Sequence, residues 1–299
     1  MMEIVLSDAP TEATIATLRP GGDFSAVFAC VRKDRLTTRG GSPYLALELR
    51  DRTGAIKARA FRDADALGMR FERGDLVRVS GRVERFRDEL VLELVDVDRV
   101  SAGEGADAAA FLPSTYRDVD ELEGFLEALA DEVHDRAYRG LLERLLADGE
   151  LRAGLRRAPC SRAGHHAYLG GLLEHTVAVA TLANELCQVH PRLDRNLLLT
   201  AAIVHDLGRT REFTFGAEIG LTEEGRLLGH LAIGARMIEA RSEMLDEQRR
   251  LALLHCVLTH HGPTSTPGGR FQSAEAIALY RCNGLDGAVK GAFEQGLGR

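Results

Sequence analysis

Apolar residues recur at every second position between Phe24 and Val100, and at every third or fourth position beyond about residue 116. A period of two alternates side chains across a strand, and a period near 3.6 keeps them on one side of a helix. A single switch between the two predicts a multidomain chain of fold class β followed by all-α. In YLALELRD, Leu45, Leu47 and Leu49 share a face, and DRTG then reads as a turn. AIKARAF puts Ile56, Ala58 and Ala60 inward, with Lys57, Arg59 and Phe61 outward. RGDLVRVSGRV and ELVLELVDV repeat the period. Five short strands in about 80 residues suit a small closed β-barrel.

SAGEGADAAA (residues 101–110) is built of small residues and opens a linker spanning 101–115. It divides a barrel domain over residues 20–100 from a helical domain over 116–299, whose motif-bearing core covers 160–295. VDELEGFLEALADEV and RAYRGLLERLLADGEL read as two amphipathic helices, and Pro159 and Gly164 bracket a break. Four longer helices are predicted at about 170–189, 195–207, 223–244 and 246–261, and a last one starts near Ser273, a residue suited to an N-cap.

LLLTAAIV (197–204) leaves no polar face, so it is a helix buried on most sides. It runs directly into His205 and Asp206, a carboxylate that is costly to bury unless something positive meets it. Other oily helices carry the same kind of residue. His175 lies one turn from Leu172 and Val179, and His230 shares a face with Leu227, Gly234 and Met237. LALLHCVLTHHG ends on His260 and His261, and Asp286 shares a stripe with Leu279, Cys282 and Val289. Taken singly, a histidine on an apolar face is more often a hydrogen-bonded core residue than a ligand. Five histidines and two aspartates arranged this way are a different matter. Neutral imidazole and carboxylate are the donors for borderline and hard divalent cations. A cation would also neutralise Asp206 and Asp286. No cysteine falls in the pattern, which argues against a structural zinc site and for metal-assisted hydrolysis.

The order His175, His205–Asp206, Asp286 resembles the HD-domain metal phosphohydrolases over about residues 160–295. The resemblance implies that these four residues hold a divalent metal that activates water on a phosphorus centre. His230 and His260–His261 match the additional ligands of two-metal members, with Asp206 bridging. The strand order and the turn DRTG resemble the OB fold, which often binds single-stranded nucleic acid. Such binders combine base stacking with a basic groove. Tyr44, Lys57, Arg59 and Phe61 fall on the outward parity for that role, while Arg32, Lys33, Arg35 and Arg39 flank the first long loop. The alternative is that Phe61 packs against protein and the arginines only solvate the surface.

HHAYLGGLLEHT, HDLGR, LTEEGRLLGH and LTHHG together resemble the YhaM-type 3′→5′ exoribonucleases, an OB fold followed by an HD domain. That implies stepwise removal of nucleotides from the 3′ end of single-stranded RNA, and sometimes DNA. The implied cofactor is a divalent metal, usually Mn²⁺, with one or two ions per chain; Mg²⁺, Fe²⁺ and Co²⁺ suit the same donors. The expected catalytic residues are Asp206, Arg209 and His166, the last two offsetting charge on phosphorus. Two departures stand out. Arg209 takes the place of the usual Lys after HDLG, and the run before the last aspartate reads NGLD, with Asn283 and Gly284. His165, beside His166, reaches the pocket or caps a helix. His134 and His190 lie next to turns as surface residues, and His255 falls off the ligand face. Glu174 is expected to be solvated or to support its neighbour. A cyclic-dinucleotide phosphodiesterase is disfavoured, because no GYP element follows the His–His pair.

The remaining features set limits. The net charge of −7 argues against nonspecific coating of nucleic acid, yet residues 20–100 carry sixteen Lys and Arg against fourteen Asp and Glu. Five scattered cysteines without a CxxC pair point to reduced thiols and a cytoplasmic location. The first residues show no export signal, and no apolar run reaches the roughly 18 residues of a membrane span. An apolar surface on the 119–150 helices is compatible with a homo-oligomer. A nucleotidase or cyclic-nucleotide hydrolase would use the same metals without needing the barrel, and a nucleic-acid-binding regulator would need no complete ligand set.

Overall fold

The computed structural model describes residues 13–100 and 111–297. The proposed linker stretch 101–110 lies outside the described residues. The chain divides into two compact units. One comprises residues 1–113 with 215–219, and the other comprises 114–214 with 220–299.

The first unit is a closed barrel in the order β1-β2-β3-β5-β4, built from β1 (Asp23–Thr37), β2 (Pro43–Asp51), β3 (Gly54–Ala60), β4 (Leu76–Phe86) and β5 (Glu89–Arg99). Closure depends on β1, which is too long for one partner. Its first half pairs with β4 from Asp23↔Arg82 to Ala29↔Leu76, and its second half pairs with β2 from Ala29↔Arg50 to Thr37↔Pro43. A bulge between Cys30 and Arg32 bends the strand from one neighbour to the other. β3 and β5 pair in parallel, and the short helix α1 (Ala64–Gly68) lies in the connection from β3 to β4. The expected alternation holds: Leu45, Leu47, Leu49, Ile56, Ala58 and Ala60 are buried with Phe28, Val77, Leu92 and Val97.

The second unit is helical: α2 (Val119–Asp131), α3 (Arg136–Leu146), α4 (Gly149–Arg157), α5 (Gly171–Val189), α6 (Arg195–Val204), α7 (Arg209–Glu212), α8 (Glu223–Glu239), α9 (Glu247–Thr259) and α10 (Ala274–Glu294). Two short strands, β6 (Phe213–Phe215) and β7 (Ile219–Leu221), form a hairpin between α7 and α8 that periodicity did not predict. Residues 136–151 form parts of two helices, not one. Asp148 accepts from the backbone N–H groups of Glu150 and Leu151 and so begins a new helix inside the apolar pattern. Ser273 caps α10 as expected, accepting from the Ala276 N–H.

A second correction concerns α8. Gly229 has φ +69°, which breaks the helix just before His230. Leu227 therefore turns to solvent and does not share the inward face with His230, Gly234 and Met237. Val289 is likewise exposed, so the stripe bearing Asp286 is buried only at Leu279 and Cys282.

Candidate metal centre

Four helices and one turn deliver the polar residues to the middle of the second unit. α6 ends at Val204, and the turn that follows carries His205 and Asp206, which are almost wholly buried. His175 comes from the first turns of α5, His260 and His261 from the end of α9, and Asn283 and Asp286 from the middle of α10. His230 starts the second segment of α8, and the break at Gly229 leaves its backbone N–H free to donate to Glu212 Oε1 at 3.1 Å. Gly208 permits the approach of the HDLG turn to α8. A Cβ there would lie 2.0 Å from the His230 carbonyl oxygen and 2.7 Å from the Gly234 nitrogen.

The hydrogen bonds fix which nitrogen each ring presents. Nδ1–H of His205 donates to the Ala202 carbonyl at 2.8 Å, and that of His260 to the Val257 carbonyl at 2.6 Å. Nδ1 of His230 lies 3.3 Å from Glu212 Oε1, and Nδ1 of His175 lies 2.6 Å from Asp286 Oδ2. With Nδ1 occupied in each case, Nε2 is the nitrogen turned toward the centre, although that of His175 also meets the Asn283 amide oxygen. These atoms gather on the two sides of Asp206. On one side, His175 Nε2 and His205 Nε2 are 3.2 Å apart and lie 3.9 and 3.6 Å from Asp206 Oδ2. On the other, His260 Nε2 and His230 Nε2 lie 3.3 and 3.5 Å from Asp206 Oδ1, and His261 Nε2 is 3.0 Å from that of His230. His261 is the solvent-facing member.

Burial alone would raise the Asp206 carboxyl. The Arg209 guanidinium leads the groups that outweigh it and hold the carboxyl well below the usual carboxylate range. Burial pushes His205 well below its ordinary value, and burial with His260 alongside pushes His261 down to about 3. Both rings are therefore neutral at pH 7, the form that ligates. Asp206 Oδ1 and His260 Nε2 are buried and have no hydrogen-bond partner. A cation placed between these two atoms would remove the cost of leaving them unpaired in a dry interior. The donor set thus fits a divalent metal.

The remaining expected residues are placed as follows. Asp286 does not join Asp206 directly. It contacts the far nitrogen of His175 and, at 2.9 Å, Nε2 of His166. Arg209 donates from Nε to Asp206 Oδ2 at 2.7 Å, so it meets the carboxylate rather than open solvent. His166 is buried with φ +52°, and its Nδ1 lies 2.9 Å from the Tyr168 hydroxyl. Glu174 is buried, not solvated, and accepts from Lys290 Nζ (2.8 Å), Thr115 Oγ1 (2.7 Å) and Tyr168 OH (2.9 Å). His134 and His190 are exposed, and His255 accepts from the Gln272 N–H at 2.9 Å.

Periodicity missed four participants. Glu212 and Tyr168 lie outside the apolar stripes. Asn283 donates to the His260 carbonyl at 3.1 Å, and its Oδ1 lies 3.0 Å from His175 Nε2. Cys160 Sγ sits 3.7 Å from Asp206 Oδ2, so a cysteine does stand beside the donors, contrary to expectation; it comes from the break before α5, where no periodicity registers it. At the other departure, Gly284, a Cβ would meet nothing within 4 Å, so no packing depends on glycine there.

The barrel's candidate residues form two pairs and an ion pair. The rings of Tyr44 and Phe61 stack at 5.3 Å with an interplanar angle of 28°, and Phe61 is 46% exposed. The Arg59 guanidinium lies 4.5 Å from the centre of the Phe86 ring, itself 45% exposed and not anticipated. Lys57 Nζ contacts Glu89 Oε2 at 2.6 Å. Arg32, Lys33 and Arg35 pair with Asp34, Glu72 and Asp65 at the surface.

Comparison with known proteins agrees with this architecture. The HD domain family matches residues 172–288, and the OB-fold nucleic acid binding domain family matches residues 29–97. The 3′-5′ exoribonuclease YhaM of Bacillus subtilis (strain 168) is 29% identical over 224 residues, 74% of this chain and 71% of that protein. The 3′-5′ exoribonuclease YhaM of Shouchella clausii is 29% identical over 222 residues, 74% of this chain and 69% of that protein. Among solved structures, the second OB-fold domain of replication protein A from Methanococcus maripaludis covers 30% of this chain and 96% of its own, at 20% identity and a TM-score of 0.26. Along this one chain a match to the OB-fold nucleic acid binding domain is thus followed by a match to the HD domain, and the chain is similar over about three quarters of its length to 3′-5′ exoribonucleases named YhaM.

Proposed function

We propose that this protein is a metal-dependent 3′→5′ exonuclease that hydrolyses phosphodiester bonds of single-stranded RNA, with Mn²⁺ as the working ion. The observation that carries the reading is the shared carboxylate. Asp206 turns one oxygen to the Nε2 atoms of His175 and His205 and the other to those of His230 and His260, with His261 closing the second group. Imidazole rings around one buried carboxylate are suited to two ions, and His175, His205, Asp206, His230, His260 and His261 are the residues that would hold them. A divalent cation there supplies Lewis-acid activation of water and of the phosphodiester.

The chain's own groups do the rest. Asp286 fixes the ring of His175 through Nδ1. Arg209 and His166 offset the negative charge that builds on the phosphoryl oxygens. Tyr44 and Phe61 offer a stacking platform for bases, and Lys57 and Arg59 meet phosphates, within a barrel domain over residues 20–100 that precedes the catalytic domain over 116–299. All five cysteines are free, and no helix among the described residues is long and apolar enough to cross a membrane. Free thiols suit work in the cytoplasm. The test uses a 5′-labelled single-stranded RNA with Mn²⁺. The wild-type chain gives a ladder of products shortened from the 3′ end, and Asp206→Ala gives none; an undiminished ladder from the variant rejects the assignment.

A further inference from the structure

Arg209 touches both halves of the centre. Its Nε donates to Asp206 Oδ2, the oxygen that faces His175 and His205. Its Nη2 lies 3.4 Å from His261 Nε2, a donor of the other half, and Nη1 lies 3.3 Å from Glu212 Oε2. The side chain is nearly buried, at 12% exposure. A guanidinium only donates hydrogen bonds and keeps its charge at any working pH. His261 must therefore accept from it, through the lone pair that a metal would use.

We propose that Arg209 is a resident cation that competes with divalent ions for Asp206 and His261. The inference rests on the metal reading of the centre. With the guanidinium in place, one lone pair of Asp206 Oδ2 is taken and a fixed positive charge lies beside that oxygen, which weakens the hold of Asp206 on an ion at the His175–His205 side. Full loading is then favoured when the guanidinium lets go of the carboxylate and His261, after which it is free for a phosphate. The same contact supplies the positive partner that the buried carboxylate needs without metal. A lysine in this position would offer a compact charge without the planar fork, and could not hold Asp206, Glu212 and His261 together in this way.

The experiment compares the full-length wild type with Arg209→Gln and Arg209→Lys. Each protein is stripped with chelator, titrated with Mn²⁺ followed by electron paramagnetic resonance, and melted with and without the ion. The expected result is that the weaker Mn²⁺ binding step tightens about tenfold in Arg209→Gln, the scale on which groups next to ligands tune metal affinity. Arg209→Lys should fall between. In chelator, Arg209→Gln should melt below wild type, and Mn²⁺ should raise its melting temperature by more than it raises that of wild type. If wild type binds Mn²⁺ and neither variant binds it more tightly at any step, the competition is overturned while the metal reading stands. If no protein binds Mn²⁺, the metal reading fails and this inference fails with it. Should Arg209→Gln not fold even with Mn²⁺, Arg209→Lys alone decides between the first two outcomes.

Discussion

The two candidate surfaces are built on opposite principles. At the metal centre the rings of His175, His205, His230 and His260 are each held by a backbone carbonyl or a carboxylate behind them, around the buried Asp206. On the barrel, the Tyr44 and Phe61 rings stack with Phe61 about half exposed, and the Lys57–Glu89 pair is open to solvent. Burial makes each polar atom of the centre expensive to leave unpaired, so one lost partner propagates. Exposure makes each barrel contact individually cheap, so binding there is the sum of separable parts. Chemistry needs the first kind of construction, and passage of a strand of any sequence suits the second.

Substitutions can break or sharpen this contrast. Asp206→Asn leaves the size unchanged but removes the charge shared by both halves. Bound metal, measured by elemental analysis of the purified protein, should be lost, and RNA hydrolysis should fall on the order of 10³-fold. Retained metal would mean that the halves do not depend on a common carboxylate. Glu174→Ala strands Lys290, Tyr168 and Thr115 in a part-buried site, and should cost about 3–5 kcal/mol in denaturant unfolding. Tyr168→Phe removes one hydroxyl from the same network, with an expected cost of about 1–2 kcal/mol; equal costs for the two would show that the network is not centred on Glu174.

The barrel variants should behave differently. Phe61→Ala is expected to weaken binding of single-stranded RNA by about 1–3 kcal/mol while leaving hydrolysis of a small chromogenic phosphodiester unchanged. A fall in both would put Phe61 in the catalytic apparatus and erase the contrast. The smallest effect belongs to Lys57→Ala. It should leave the melting temperature unaltered and lower the slope of log affinity against log salt by about 0.7, the share of one phosphate contact on a single strand.

Much of this organisation was legible in the sequence because burial is periodic. Leu45, Leu47 and Leu49 marked a barrel face, and His175 beside Leu172 and Val179 marked a polar group on an oily stripe. What periodicity could not read was anything set by a break in it. Asp148 restarts a helix inside an apolar pattern, and Gly229 turns Leu227 outward while aligning His230. Cys160 and Tyr168 reach the donors from irregular chain, where spacing carries no information about direction. For Glu174 two readings stood open, solvation or support of its neighbours, and only the first fails, because three donors from separate segments hold it dry. The choice of Arg209 over lysine was visible, but its grip on Asp206 was not, because a sequence gives charge without reach.

The crowding at Gly208 bears on how such proteins are inspected for lesions. The space a methyl group would need at that residue is taken by the peptide of His230. Alanine at 208 would alter no donor, no charge and no hydrogen-bonding side chain, yet it would act as a wedge between the segment bearing Asp206 and the segment bearing His230. A survey of variants confined to ligands would pass over it as silent, although the two halves of the centre can meet only where one backbone lies bare against another.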